Sequence, residues 1–381
     1  MDRKLIYVLN HYSSKSVQHF YHILNLLIAM ADKGVKIALI IEKCDDIPDI
    51  QHKNIEVICQ KEKTKLKRGV ELFRILTKLY KIGHKKVFVR ITINSAIISI
   101  ISAKIYGSET YYWQSGTTYE VDADKPFMKK IKWLVCSYSK IWFVKKNVNH
   151  FVTGPESMID YYVDVLKVDR EKMLLLYNDI DVKRFMLPTA DEKRKIRERL
   201  GLDEFEKVVL MVHRLSPVRK TDKYIPYIFE DEKFSESNST FIIIGDGPER
   251  KRLEHLIDNS FIKDRIKLLG SKPNSEVHEY YKAADVFINP SYTEGFPRVV
   301  IEAMASGLPV VTTNAGGTLD IFGVLQRDYV IDRNDTDRFR AALINLIGDE
   351  RKLKELSEEN LTTVMKYSTD AVSDMYIERI F

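Results

Sequence analysis

Residues 291–311 read "SYTEGFPRVVIEAMASGLPVV", and the fold turns on how this stretch is parsed. The run from Val299 to Ala305 is largely apolar, and Gly307 suits a helix C-terminal cap. Pro297 suits the first helical position, where its missing N–H costs nothing. The spacing predicts a helix from Arg298 to about Ser306, preceded by a loop holding Glu294, Gly295 and Phe296. A strand, a short glycine-containing loop and a helix N-terminus together make an anion site. Free N–H groups and the positive end of the dipole face the ligand there. Glu294 can reach a ligand beside those amides. Glu302 lies about 7–8 Å further along the helix at 1.5 Å per residue. A ligand with hydroxyls at both ends and phosphates between meets both carboxylates. A nucleotide sugar fits, with its hexose on Glu294, its phosphates on the helix start and its ribose on Glu302. Two solvated glutamates flanking a helix cap satisfy the same spacing.

Outward from this stretch, strand-like runs alternate with helical ones. "KLIYVLN" (4–10), "VKIALIIE" (35–42), "NIEVIC", "KVFVRI", "ETYYWQ" and "KIWFVK" read as strands in the first half, and Val17 to Asp32 as a helix ending at Gly34. The pattern pauses at the polar stretch 178–206. It resumes with "KVVLMV", "STFIIIGDG", "RIKLLG", "DVFINP" and "LPVVTT". Near-continuous apolar strands separated by helices predict parallel sheets wrapped by helices. The expected class is α/β with two doubly wound units, residues 1–190 and 191–364 joined by a linker near 185–206.

The 381 residues suffice for two domains, and a hydrophobic share of 45% with 30% charged residues excludes global disorder. No apolar run reaches the roughly 18–20 residues that span a bilayer. The N-terminus lacks the long apolar core and cleavage site of a signal peptide. Cys44, Cys59 and Cys136 are unevenly spaced, which argues against a disulfide framework or zinc site and for a reducing compartment. The net charge of +6 hides an asymmetry. Residues 1–190 hold 31 Lys and Arg against 20 Asp and Glu, and residues 191–381 hold 29 against 34. Opposite charge on the two halves points to two modules, the first with an anionic partner.

The order "HRLSPVRK" (213–220), "IIIGDGPERKRLE" (242–254), "IKLLGS" (266–271) and "YYKAADVFINPSYTEGFPRVVIEAMASGLPVVTTNAGGTLDIF" (280–322) resembles the C-terminal domain of glycosyltransferase family 4, retaining enzymes with the GT-B fold. About 110 residues carry the likeness, and "YNDIDVKRF" (177–185) resembles the family's segment before the domain junction. The resemblance implies two Rossmann-like doubly wound domains facing a central cleft, with a C-terminal helix of about 365–381 packing back on the first. It implies that Arg214 and Lys220 form a cationic pair on the donor diphosphate. Breaking a glycosyl–phosphate bond leaves charge there, and fixed cations and amides lower that barrier without a metal. Gly270 and Ser271 correspond to positions that meet the nucleobase, and Gly316 and Gly317 to a loop beside the donor phosphates. Gly295, Phe296, Pro297 and Arg298 complete the expected donor site with Glu294 and Glu302. The "GDGP" turn, with Gly245 and Gly247, is neither a dinucleotide fingerprint, since Arg250 stands where a third glycine belongs, nor a P-loop. It reads best as turn geometry.

The chain departs from the family in three places. The loop "NHYSSKSVQHF" (10–20) lacks a glycine pair, leaving Lys15 and His19 near the expected acceptor. "WQSGTTYE" (113–120) sets Gln114 and Ser115 where a histidine is frequent. Asp179 replaces a glycine. Asp122–Asp124 and Asp179–Asp181 resemble metal-binding strings of the other main glycosyltransferase fold, but both read as solvated loop acids. No metal and no cofactor is expected.

Lys61 to Lys86 holds ten Lys or Arg and two Glu, and residues 125–151 hold seven Lys and no acid. Lys67, Arg74, Lys78 and Lys81 form a stripe on one helical face. Basic side chains interleaved with aromatics suit an anionic membrane surface, and no nucleic-acid module is present. The sequence thus predicts a metal-independent hexosyltransferase on the inner face of a cell membrane, peripheral and cytoplasmic. It would move a hexose or N-acetylhexosamine from a nucleotide sugar, by expectation a UDP-sugar, to a glycan acceptor, plausibly lipid-linked, in surface polysaccharide or glycoconjugate synthesis. The alternatives are a nucleotide-sugar epimerase on the same fold and a non-catalytic membrane-associated partner of a transferase.

Overall fold

Two all-parallel sheets organise the chain, and each keeps its first strand central. The computed structural model describes residues 3–13, 21–116, 138–217 and 223–381. In the first sheet the strands are β1 (Lys4–Tyr12), β2 (Lys36–Cys44), β3 (Ile55–Cys59), β4 (Lys86–Arg90), β5 (Glu109–Trp113), β6 (His150–Thr153) and β7 (Met173–Leu175). Their spatial order is β3-β2-β1-β4-β5-β6-β7. In the second they are β8 (Lys207–Val212), β9 (Ser239–Ile244), β10 (Ile266–Gly270), β11 (Val286–Asn289), β12 (Val310–Thr313) and β13 (Val330–Ile331), in the order β10-β9-β8-β11-β12-β13. Each order reverses direction once, at β1/β4 and at β8/β11, as in doubly wound Rossmann-like sheets. The Val286↔Val209 and Phe287↔Leu210 register marks the second reversal.

The helices used below are α1 (Tyr21–Asp32), α2 (Lys65–Lys81), α3 (Ile93–Tyr106), α4 (Ser139–Asn147), α5 (Ala190–Leu200), α6 (Asn274–Ala283), α7 (Arg298–Ala305) and α8 (Thr369–Ile380). The chain divides into two compact units, residues 1–179 with 369–381, and residues 180–368. The division falls between Asp179 and Ile180, earlier than the expected 190, because Ile180 bridges Ser368 at the edge of the second unit. The expected linker 185–206 instead contains α5. Thr189 and Glu192 close a capping box at its start and left-handed Gly201 ends it.

α8 belongs to the first unit. The Tyr376 and Phe88 ring centroids lie 5.7 Å apart, and Lys33, just after α1, bridges Asp370 and Asp374 at 2.7 Å each. Buried Arg90, at the end of β4, lies 3.8 Å over the Trp113 ring and donates to Asn178 Oδ1 at 2.5 Å. Asp179, expected to be a solvated loop acid, is instead buried and accepts from Thr369 Oγ1 at 2.7 Å.

Two further sequence expectations are corrected. "KIWFVK" forms helix α4, not a strand, and the sixth strand is the following "HFVT". Aromatic and β-branched residues gave 140–145 its strand look. Its buried apolar positions, Ile141 and Val144, and the buried Val148 at its C-cap are spaced by three and four, which is a helical period. Cys44 and Cys59 form a disulfide, their Cα atoms 5.9 Å apart at the ends of neighbouring strands. A separation of 15 residues gives no hint of that adjacency; the β2–β3 register creates it.

Candidate active site

The switch point of the second sheet collects the expected donor residues. In open α/β sheets, ligands bind outside the carboxyl ends of the strands where the order reverses. There the chain leaves β8 as His213–Arg214 and leaves β11 as the loop 290–297 that carries Glu294. The β11 loop is anchored from β12. Ser291 N donates to Thr313 Oγ1 at 3.0 Å, and Ser291 Oγ donates to Thr293 O at 3.1 Å. Pro297 occupies the N-cap of α7, one position before the expected first helical residue. Pro297 makes no side-chain cap to this helix start, and a helix N-terminus is suited to an anion.

Glu294 is buried, and its Oε1 lies 3.6 Å from Nε2 of His213, also buried. Glu302 sits on α7, where its Oε2 accepts from Tyr281 Oη of α6 at 3.0 Å and its Oε1 lies 3.8 Å from Arg298 Nη2. Burial pushes the Glu302 carboxyl above its ordinary value, and the charge of Arg298 and the Tyr281 bond offset only part of this. The same pair lifts the Tyr281 phenol well above its usual range, with burial the leading cause. Arg214 is exposed beside buried His213, and Lys220 lies outside the described residues.

The glycine loops act as buttresses. A Cβ on Gly245 would stand 1.8 Å from His213 O, and one on Gly316, at φ 56°, would stand 2.0 Å from Glu294 O. Gly245 N donates to Gly270 O at 2.9 Å, Leu215 N to Asp246 O at 3.1 Å, and Gly317 N to Gly295 O at 3.2 Å. The "GDGP" turn therefore backs the loop that carries Arg214, and Gly316 and Gly317 back the loop that carries Glu294. Gly270 is left-handed at φ 70° with exposed Ser271 beyond it at the end of β10. The Phe296 ring is a core group, packed edge-on to Tyr367 with centroids 5.3 Å apart.

In the first unit, Gln114 follows β5. Its Oε1 accepts from Tyr112 Oη at 2.8 Å and its N donates to Val152 O at 3.0 Å. Ser115 is half-buried next to it. Lys15, His19 and Asp122–Asp124 lie outside the described residues. Lys67, Arg74, Lys78 and Lys81 are all exposed along α2. Among the described residues no three His, Cys, Asp or Glu side chains come together to hold a metal ion. Asp181 instead accepts from the backbone N–H groups of Lys183 and Arg184 at 3.2 Å each. No helix among the described residues is long and apolar enough to cross a membrane. Sequence reasoning passed over His213 and Tyr281: one lies inside a quoted motif and the other inside a helix, and only the sheet order brings each to a glutamate.

Residues 192–362 match the family of glycosyl transferases group 1. The chain is 27% identical over 330 residues to the UDP-Gal:alpha-D-GlcNAc-diphosphoundecaprenol alpha-1,3-galactosyltransferase of Escherichia coli, covering 83% of this chain and 80% of that one. It is 35% identical over 168 residues to the alpha-monoglucosyldiacylglycerol synthase of Acholeplasma laidlawii, covering 44% of this chain and 42% of that enzyme. Among solved structures, Anabaena HepE in complex with UDP superposes with a TM-score of 0.73 at 16% identity over 99% of both chains. Sucrose-phosphate synthase from Thermosynechococcus elongatus superposes at 0.77 and 18% identity over 99% of this chain and 98% of that one. The two doubly wound units and these neighbours define the class, the GT-B fold. Residues 192–362, in the second unit, thus carry the likeness to group 1 glycosyl transferases, and over most of its length the chain is similar to glycosyltransferases of the family 4-like kind.

Proposed function

We propose that this protein is a retaining glycosyltransferase that takes a hexose or N-acetylhexosamine from a UDP-sugar and delivers it to a lipid-linked glycan. The observation that supports the reading is the meeting at one sheet reversal of a helix N-terminus, an exposed arginine and two buried glutamates. Glu294 accepts hydrogen bonds from sugar hydroxyls. The start of α7 and Arg214 receive the diphosphate, joined by Lys220. Glu302 accepts from the ribose. As the bond between the anomeric carbon and the diphosphate oxygen breaks, its electron pair stays on that oxygen. Cations and amides fixed at that point stabilise the charge more than bulk water does. These charges perform the leaving-group role with no metal ion. Retention of configuration is carried over from the family resemblance.

The acceptor reading rests on the Escherichia coli relative, whose name specifies a diphosphoundecaprenol acceptor, and on the surface of the first unit. The basic stripe of α2 borders exposed Leu66 and Val70. Ile101 and Ile105 of α3 and Trp142 of α4 are exposed too, with Lys146 Nζ 5.2 Å from the Trp142 ring. Each lysine at an anionic membrane contributes about 1 kcal/mol. The test is a donor screen measuring nucleotide release with a mixture of lipid-linked acceptors. UDP-hexoses are expected to be consumed only when acceptor is present, with chelator leaving the rate unchanged. Product formed from nucleotide sugar alone would establish the epimerase instead, and failure to bind UDP or GDP the non-catalytic partner.

A further inference from the structure

Glu294 stands in a loop, not on a helix or strand, yet it has to present its carboxylate to one face of a sugar. A loop carboxylate at 6% exposure also needs a polar neighbour, since an isolated buried charge is costly. His213 is one such neighbour. It follows β8, the central strand of the sheet, and its backbone is fixed on both sides. His213 N donates to Ile244 O at 2.9 Å, and Gly245 presses against His213 O so closely that no larger residue fits. Gly316 presses in the same way on Glu294 O. Two glycine contacts thus hold the two backbones, and the side chains meet at 3.6 Å with 2% and 6% of their surfaces exposed. That distance is a few tenths of an ångström beyond hydrogen-bond range. Bonds of this kind are often long in the empty enzyme and tighten with substrate.

We propose that His213 is a positioning residue for the donor sugar: its Nε2–H is donated to Glu294 Oε1 and fixes the carboxylate that grips the hexose hydroxyls. The proposal rests on the role given above to Glu294. A side chain locked by a partner on a rigid element holds a contact geometry that a loop alone does not. His213 acts only through Glu294, so its effect is confined to the sugar. The UDP part of the donor, received by α7 and Arg214, is untouched.

The test compares UDP-galactose and UDP-glucose turnover with UDP binding in the full chain. Leucine at 213 fills a similar volume without a donor, whereas glutamine places an amide N–H near the Nε2 position. His213→Leu is expected to raise the KM for the sugar donor tenfold or more, a charged hydrogen bond being lost, with Kd for UDP and Tm unchanged. His213→Gln is expected to recover KM to within about threefold of wild type. Should the leucine variant not fold, His213→Asn, whose amide stops short of Oε1, makes the same comparison. An unaltered KM in the apolar variant overturns the proposal, and so does an equal rise in KM and in Kd for UDP, which marks a packing role. Glu294→Ala distinguishes the two levels. If that variant keeps its rate, the reading of the site itself fails; if it loses its rate while the His213 variants are silent, only this inference fails.

Discussion

Glu302 shows how burial changes what a carboxylate does. Its raised pKa means that the folded chain binds its proton more readily than the unfolded chain does. The stability it contributes is therefore fully present below the ordinary value of 4.5 and is lost as pH rises through the raised folded value. Where the group is ionised, its burial is a cost, which the proposed contact with the donor ribose would account for. Glu302→Gln should accordingly raise Tm at pH 7.5 and not at pH 4, while weakening donor binding. Thermal melts at both pH values with a UDP titration check this, and an unchanged Tm at pH 7.5 would contradict it. Tyr281→Phe removes a bond to this carboxylate and should raise donor KM by about threefold to tenfold. Glu294→Ala and Lys220→Ala should each lower kcat about 100-fold or more, the scale of losing one charge-stabilising group; initial rates at saturating donor measure this. Glu294 and Glu302 were legible from their spacing around the Gly295–Pro297 helix start, and Arg214 from the family resemblance alone. The sequence hid His213 and Tyr281, whose roles depend on which strands and helices become neighbours.

Elements were legible where hydrophobic period and punctuation agree. α7 has Pro297 before it and left-handed Gly307 after it, so both ends were readable to within one residue. α4 was misread because its residue types favour strands while its burial follows a helical period. α5 was taken for a linker because it is almost wholly charged. It is built into the second unit through Arg197, which is buried, reaches Asp285 Oδ2 at 2.6 Å and donates to the carbonyl oxygens of Ala283 and Glu204. The sequence signal was the Thr189–Glu192 box. Thr189→Ala should destabilise the second unit by about 1 kcal/mol, read from its denaturation midpoint. On α2, replacing Lys67, Arg74, Lys78 and Lys81 with Gln should weaken sedimentation with anionic vesicles at low salt, leaving UDP affinity unchanged. Equal association of both proteins would remove this face from the membrane reading.

At the scale of the whole molecule, the chain's last residues complete its first unit. Tyr376 of α8 is fully buried against Phe88, and Tyr111 Oη donates to Ile380 O at 3.3 Å. Arg379 Nη1 donates to Leu175 O at 2.6 Å. Removing residues 369–381 should expose this core and lower solubility, measured as the soluble fraction on expression. The net positive charge of the first half suits the anionic acceptor proposed above. The central claim is that the donor diphosphate rests at the start of α7, between Arg214 and the glutamates. A crystal grown with UDP tests it directly. Phosphate density is expected at the start of α7 after Pro297, with the ribose within hydrogen-bond reach of Glu302. Nucleotide density elsewhere on the chain, with that helix start empty, would contradict it.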